Sequence, residues 1–124
     1  MTAPLTGDVT VYYNPRCSKC RTAKSLLEEH GVKADLYEYL KEAPDRDDVE
    51  HIMKLLDIED PRAMMRTGED AYRDLDLANA DRDELIDAMV DHPILIERPI
   101  VIRGGRAVIA RPPEKLLELL DDER

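Results

Sequence analysis

Two cysteines, the only two in a chain of 124 residues, stand three positions apart in Asn14-Pro15-Arg16-Cys17-Ser18-Lys19-Cys20-Arg21. A short apolar run, Val9-Thr10-Val11-Tyr12-Tyr13, precedes them, and helix-spaced apolar residues, Ala23, Leu26 and Leu27, follow. The pair therefore lies at a strand-to-helix turn. The first turn of a helix leaves backbone N–H groups without partners and carries partial positive charge. A cysteine there is held as the thiolate, the reactive form. Arg16, Lys19 and Arg21 add cationic charge. The chemistry this arrangement suits is nucleophilic attack by Cys17, with Cys20 as a possible resolving thiol.

Other readings of the pair are weaker. Zinc usually takes four ligands, commonly two such pairs or one pair with histidines. There is no second pair, and His30, His51 and His92 lie far apart with no ligand spacing. No metal and no bound cofactor are expected. Two buried, inert thiols are the structural alternative, but the charged flanks are expected to keep the turn exposed.

Three arginines stand out next: Arg66 after a short helical segment, Arg98 before Pro99, and Arg111 before Pro112. Each lies at the end of an element, where side chains can converge. Singly, each would pass for a solvated surface residue. Together they suit a tetrahedral oxyanion, because guanidinium donates in a planar fork and stays charged. A helix N-terminus beside them would complete an oxyanion pocket.

The elements that must position these groups are legible in outline. Residues 9–13 read as a buried strand and 18–30 as a helix stopped by Gly31. Residues 34–40 read as a second strand, with Leu36, Glu38 and Leu40 on one face and Asp35, Tyr37 and Tyr39 on the other. Asp45 is a good N-cap for a helix carrying Val49, Ile52, Met53 and Leu56. Asp60 and Pro61 open a short helix through Met65, and a short turn is expected over 69–75. Asp81 and Glu84 form a capping-box pattern for a helix carrying Leu85, Ile86, Met89 and Val90, ended by His92-Pro93. Ile100-Val101-Ile102 and Ala107-Val108-Ile109 flank Gly104-Gly105 as a hairpin with a two-residue turn. Pro112-Pro113 opens a last helix with Leu116, Leu117 and Leu120 as its buried stripe. Residues 1–7 are expected to be a disordered lead-in and 121–124 a solvated tail.

The order is β-α-β, a helical segment, then β-β-α. This predicts a single α/β domain over 1–124 with a thioredoxin-like fold and a mixed sheet. Its core spans about 8–40 and 92–120, and an all-helical insert spans about 41–91. A Cys-x-x-Cys pair at the first strand-to-helix turn agrees with that fold. In such a fold Pro99 is where a cis proline faces the cysteine turn, and cis bonds are nearly confined to proline.

Composition narrows the function classes. Phe and Trp are absent, so the core must be aliphatic. Met53, Met64, Met65 and Met89 fall on apolar faces as core filler, and Tyr37, Tyr39 and Tyr72 read as core-edge residues. The formal net charge of −10 argues against nonspecific nucleic-acid binding. It also repels anions at long range, so an anion site needs a local cluster of arginines. The first residues carry no signal-like basic and apolar pattern, and no stretch approaches a membrane span. A cytoplasmic protein with no membrane partner is expected, and cysteines there favour redox chemistry over a structural disulfide.

Over residues 9–120 the chain resembles the arsenate reductases of the thioredoxin-like, glutaredoxin-coupled ArsC class. The matching stretches are Tyr13-Asn14-Pro15-Arg16-Cys17 with Arg21 downstream, His92-Pro93-Ile94-Leu95-Ile96-Glu97-Arg98-Pro99-Ile100, and Ala110-Arg111-Pro112. The resemblance implies that Cys17 is the nucleophile and that Arg66, Arg98 and Arg111 bind the oxyanion. Asn14, Arg21 and the cis bond at Pro99 support them. It further implies a covalent thiol-arsenate adduct, resolved by glutathione with glutaredoxin. Many members carry histidine where this chain has Tyr13, and many lack a cysteine at position 20. Cys20 makes an internal disulfide, and thioredoxin as reductant, an alternative. The related Spx-type regulators share Cys-x-x-Cys and the Arg-Pro-Ile stretch, sense oxidants and bind RNA polymerase. They generally lack the arginine matched by Arg111, which favours the reductase. A general thiol-disulfide oxidoreductase is the third alternative.

Overall fold

The computed structural model describes residues 9–120; the expected lead-in and tail lie outside them. The chain divides into two compact units. One comprises the segments up to Glu38 and from Arg98 onwards; the other is Tyr39–Glu97.

The first unit holds all four strands. Strand β1 (Val9–Tyr12) leads into helix α1 (Ser18–Glu29), which returns to strand β2 (Ala34–Tyr37). After the helical unit come β3 (Ile100–Arg103) and β4 (Arg106–Ile109). The sheet order is β2-β1-β3-β4. β1 and β2 run parallel, while β3 is antiparallel to both β1 and β4. This is the thioredoxin-like arrangement. Beyond Gly104-Gly105, where Arg103 pairs with Arg106, the chain closes with a 3-10 turn (Pro113–Leu116) and α5 (Leu117–Leu120).

Each element follows from its residues. The β1 residues Val9 and Val11 are buried, and Tyr12 stacks edge-on against Tyr37 with ring centroids 4.8 Å apart. α1 turns Cys20, Ala23 and Leu27 inward, one helical face at spacings of three and four. Gly31, at φ +74°, follows its end, a left-handed position that glycine takes at little cost. The core cluster joins Val9, Val11, Tyr13, Cys20, Ala23 and Leu27 to Val101, Ala110, Leu116 and Leu119. It is aliphatic apart from tyrosine and one thiol, as a chain without Phe or Trp requires.

Three details differ from the sequence expectation. β2 stops at Tyr37 rather than Leu40, because it is a short edge strand; Leu36 stays exposed, while Tyr39 belongs to the other unit and is wholly buried. The last helix starts as a 3-10 turn of threefold period. Its deeply buried leucines are therefore Leu116 and Leu119, with Leu117 and Leu120 only partly covered. A second cis peptide, Arg111-Pro112, accompanies the expected one at Arg98-Pro99.

The second unit, Tyr39–Glu97, is helical. Helices α2 (Arg46–Leu56) and α4 (Arg82–Asp91) pack together, burying Val49, Ile52 and Met53 with Leu85, Ile86 and Met89. Both start with a reciprocal capping box: Asp45 with Asp48, and Asp81 with Glu84. Between them lie 3-10 turns at Pro61–Met64 and Leu77–Asn79 and the short α3 (Asp70–Asp74). Arg62 ties these pieces together, donating to the Tyr72 hydroxyl at 3.0 Å and to the carbonyls of Leu77 and Ala80 at 2.8 and 2.9 Å. His92-Pro93 ends α4, as expected, and the chain then makes a further 3-10 turn, Pro93–Leu95. No helix among the described residues is long and apolar enough to cross a membrane.

Candidate active site

Cys17 is the N-cap residue of α1, with extended backbone angles (φ −93°, ψ 121°). Its own N–H donates to the Asn14 carbonyl at 2.9 Å, closing the turn that leaves β1. Asn14 also accepts the Arg16 N–H on its Oδ1 at 3.0 Å. The Arg21 guanidinium reaches back from α1 to the Pro15 carbonyl at 2.8 Å. Asn14 and Arg21 thus fix the shape of the turn from both sides. Pro15, Arg16, Ser18 and Lys19 are exposed, and Cys17 is half-buried. Cys20, by contrast, is fully enclosed in the core cluster. The expectation of an exposed turn holds for Cys17 and fails for Cys20, because the third helical position points inward with Ala23 and Leu27.

The two thiols have opposite electrostatics. Burial works against the charged form of Cys17. It is outweighed by the backbone N–H of Cys20, the Arg98 guanidinium, the Cys20 thiol and the backbone N–H of Lys19. The Cys17 thiol consequently lies at about 7, against an ordinary 9.0. Burial is the largest influence on Cys20 and pushes it up to about 12, even though the Asn14 backbone N–H favours its charged form. The Cys17 sulfur makes no capping hydrogen bond of strict geometry. The two N–H groups act on it as the open end of the helix acts on an anion. Neither contribution carries a sequence signal beyond placement at a helix start.

This sets a pH dependence. Thiolate is the alkylating form, so iodoacetamide should modify Cys17 at a rate that rises with pH, half-maximal near 7. Below pH 6 the rate should fall about tenfold per pH unit, since each unit removes that factor of thiolate. Peptide mapping should find the label on Cys17 and not on Cys20. A half-point at the ordinary thiol value would contradict the site electrostatics.

The first unit brings two of the three arginines together. Arg98 precedes the cis bond to Pro99 and faces Cys17. Arg111 donates from Nη1 to the Arg98 carbonyl at 3.0 Å, so the end of β4 braces the loop before β3. Arg66 lies in the helical unit. There its N–H donates to the Leu95 carbonyl at 2.7 Å, and its guanidinium meets Glu69 at 2.8 Å and Glu97 at 4.0 Å. Glu69, three residues on, is a spacing that sequence could have flagged; Glu97 is distant in sequence and could not be. Position 13 is a core position, since the Tyr13 ring joins the cluster around Cys20. A cavity of about 440 Å³, lined by Leu75, Leu77, Glu84 and His92 among others, contains none of these residues. Among the described residues, no group of three or more His, Cys, Asp or Glu side chains is placed to hold a metal ion.

A model of the ArsC family matches residues 12–119. The chain belongs to the ArsC family. Its relatives include the protein YfgD of Escherichia coli K12, 44% identical over 94% of this chain and 99% of that one. An arsenate reductase of Neisseria meningitidis serogroup A is 43% identical over 91% of this chain and 98% of that one. A solved structure of an arsenate reductase from Vibrio cholerae superposes with a TM-score of 0.88 at 40% identity, covering 91% and 98% of the two chains. The ArsC match takes in both units and every site residue named above.

Proposed function

We propose that this ArsC-family protein is a cytosolic, thiol-dependent arsenate reductase. The observation that carries the reading is a half-exposed Cys17 at the start of α1, with its thiol lowered to about 7 beside Arg98. The names of its ArsC relatives support arsenate as the substrate.

In this mechanism the Cys17 thiolate attacks the arsenic of arsenate, and an oxygen leaves as water after protonation. The N–H groups at the start of α1 and the guanidinium of Arg98 offset charge on the oxygens as the Cys17–As bond forms. Arg111 holds the Arg98 backbone and supplies a second guanidinium. Arg66 is the third arginine of the family pattern. A second thiolate then attacks the Cys17 sulfur. The S–As bond breaks, its electron pair passes to arsenic, and arsenite leaves while a disulfide forms on Cys17. A further thiol reduces that disulfide. The second thiol is external, glutathione with glutaredoxin, or else Cys20, with thioredoxin as reductant. The enclosure of Cys20 favours the external thiol.

The test is arsenite release by the purified protein, given arsenate and, in turn, thioredoxin, glutaredoxin with glutathione, or glutathione alone. Turnover with at least one system is expected. Phosphate matches arsenate in shape, so it should compete for binding without consuming reductant. No arsenite with any of the three would sink the reductase reading. Capture of RNA polymerase dependent on the Cys17/Cys20 redox state, without turnover, would favour the regulator reading instead.

A further inference from the structure

We infer that two copies of this chain pair antiparallel through edge strand β2, centred on Ala34, joining their four-stranded sheets into one.

β2 ends the sheet order β2-β1-β3-β4, so β1 covers only one of its edges. Across that ladder the Tyr37 carbonyl accepts the Tyr13 N–H at 2.8 Å. Backbone groups alternate in direction along an extended strand. Those of Asp35 therefore also turn towards β1, and those of Ala34 and Leu36 turn outward. An outward row of N–H and C=O groups is a template for another strand. Beside it runs a shallow cavity of about 190 Å³, with Leu27 of α1 and Val32, Ala34 and Leu36 in its wall. Leu36 is one of three large apolar residues exposed among the described residues.

Charge ordinarily protects an edge strand from pairing. Here the charges select the occupant. Residues 32–36 read Val-Lys-Ala-Asp-Leu, and both charged residues are exposed. Reversed and laid beside itself about Ala34, the stretch matches itself at every position. Lys33 falls opposite the partner's Asp35, and Asp35 opposite the partner's Lys33. Val32 falls opposite the partner's Leu36, and Leu36 opposite the partner's Val32. Opposite charges and apolar pairs directly across an antiparallel ladder both stabilise it.

The backbone favours the same register. The two Ala34 residues exchange both of their outward N–H···O bonds. Each Leu36 N–H donates to the partner's Val32 carbonyl. The Val32 N–H is already given to the Leu27 carbonyl at 2.9 Å and is not called on. Lys33 and Asp35 then occupy the non-hydrogen-bonded pairs, where side chains approach most closely. Neighbouring registers fail. Pairing centred on Lys33 or on Asp35 sets like charges against each other. Pairing centred on Leu36 puts Asp35 opposite the partner's Tyr37 and Ala34 opposite the partner's Glu38, with no ion pair.

The pairing is two-fold and uses β2 of both copies, so it closes at a dimer. It is centred on the first residue of β2, whereas the Cys17 turn follows the end of the parallel β1. No residue of the candidate active site takes part. One short strand from each copy makes a small interface, which suits a reversible dimer.

Sedimentation equilibrium of the full chain, from about 10 µM to about 1 mM, tests this. Wild type should pass reversibly from one chain to two. Asp35→Lys and Lys33→Asp each set like charges opposite one another twice, and each should weaken dimerisation by about tenfold or more. An equimolar mixture of those two variants regains both ion pairs and should form mixed dimers as readily as wild type. Ala34→Pro removes the central outward N–H without touching the ladder to β1, and should abolish the dimer. A further reading needs no variant: in wild type the Ala34 and Leu36 amides should exchange with deuterium more slowly as concentration rises. A single chain at every concentration would overturn the inference. So would a dimer that Asp35→Lys leaves equally stable, or one that gives those two amides no added protection, since another surface would then hold it together.

Discussion

Cys17→Ser is expected to remove arsenate turnover with every reductant and to leave the fold as stable as before or more so. Loss of an enzyme nucleophile costs on the order of a millionfold where this has been dissected. A serine hydroxyl cannot substitute, since it does not ionise near neutral pH and makes no disulfide. Stability moves the other way because of where Cys17 sits. It is an N-cap whose sulfur makes no capping hydrogen bond of strict geometry. Serine is among the preferred N-caps and can accept a hydrogen bond from the N–H groups of Lys19 or Cys20, a gain of up to about 1 kcal/mol. Arsenite release and a thermal melt of the same sample check both halves. Residual turnover above background would remove Cys17 from the reaction; a clear drop in melting temperature would contradict the cap geometry.

Arg98→Ala loses the second-largest amount. Arg98 helps to lower the Cys17 thiol, and in the mechanism proposed above it also offsets oxyanion charge. Removing one donor to developing oxyanion charge commonly costs about 10²–10³ in rate. The labelling half-point of Cys17 should also rise, because one of the influences that outweigh burial is gone. Raising the pH should therefore recover the part of the loss due to protonation and leave the part due to oxyanion binding. Arg98→Lys keeps the charge without the planar fork, and should restore the labelling profile better than it restores kcat/KM. A fall confined to labelling, with normal turnover at high pH, would limit Arg98 to activating the thiol.

Local signals carried the sequence reading of these elements a long way. Asp45, Asp81 and Gly31 mark helix ends through hydrogen bonds made within a few residues, and each is found in that role. The β-α-β and hairpin patterns gave the mixed sheet, and Arg98-Pro99 is cis as its context implied. What escaped depends on neighbours distant in sequence. Nothing in Ala34–Leu40 reveals that the strand lies at a sheet edge and ends at Tyr37. The brace from Arg111 to the Arg98 carbonyl spans 13 positions, and no local pattern encodes it. Cys20 is the instructive case. Its charged neighbours in sequence suggested exposure, but helical phase, shared with Ala23 and Leu27, decides its burial.

The start of α1 also bears on how an anion reaches the protein. α2 and α4 open on aspartates and carry further carboxylates in their first turns; α1 opens on a thiol with no acidic residue there. In a chain with 28 acidic residues and a formal net charge of −10, that helix start adds partial positive charge and no carboxylate. For the arsenate proposed as substrate, the net charge of −10 is repulsive at a distance, and the helix start attracts only at close range. Dissolved salt weakens the long-range repulsion beyond about 8–10 Å and leaves the close contacts largely intact. Capture is then expected to improve as salt rises to physiological ionic strength, the reverse of an enzyme that steers its anion through a broad positive field.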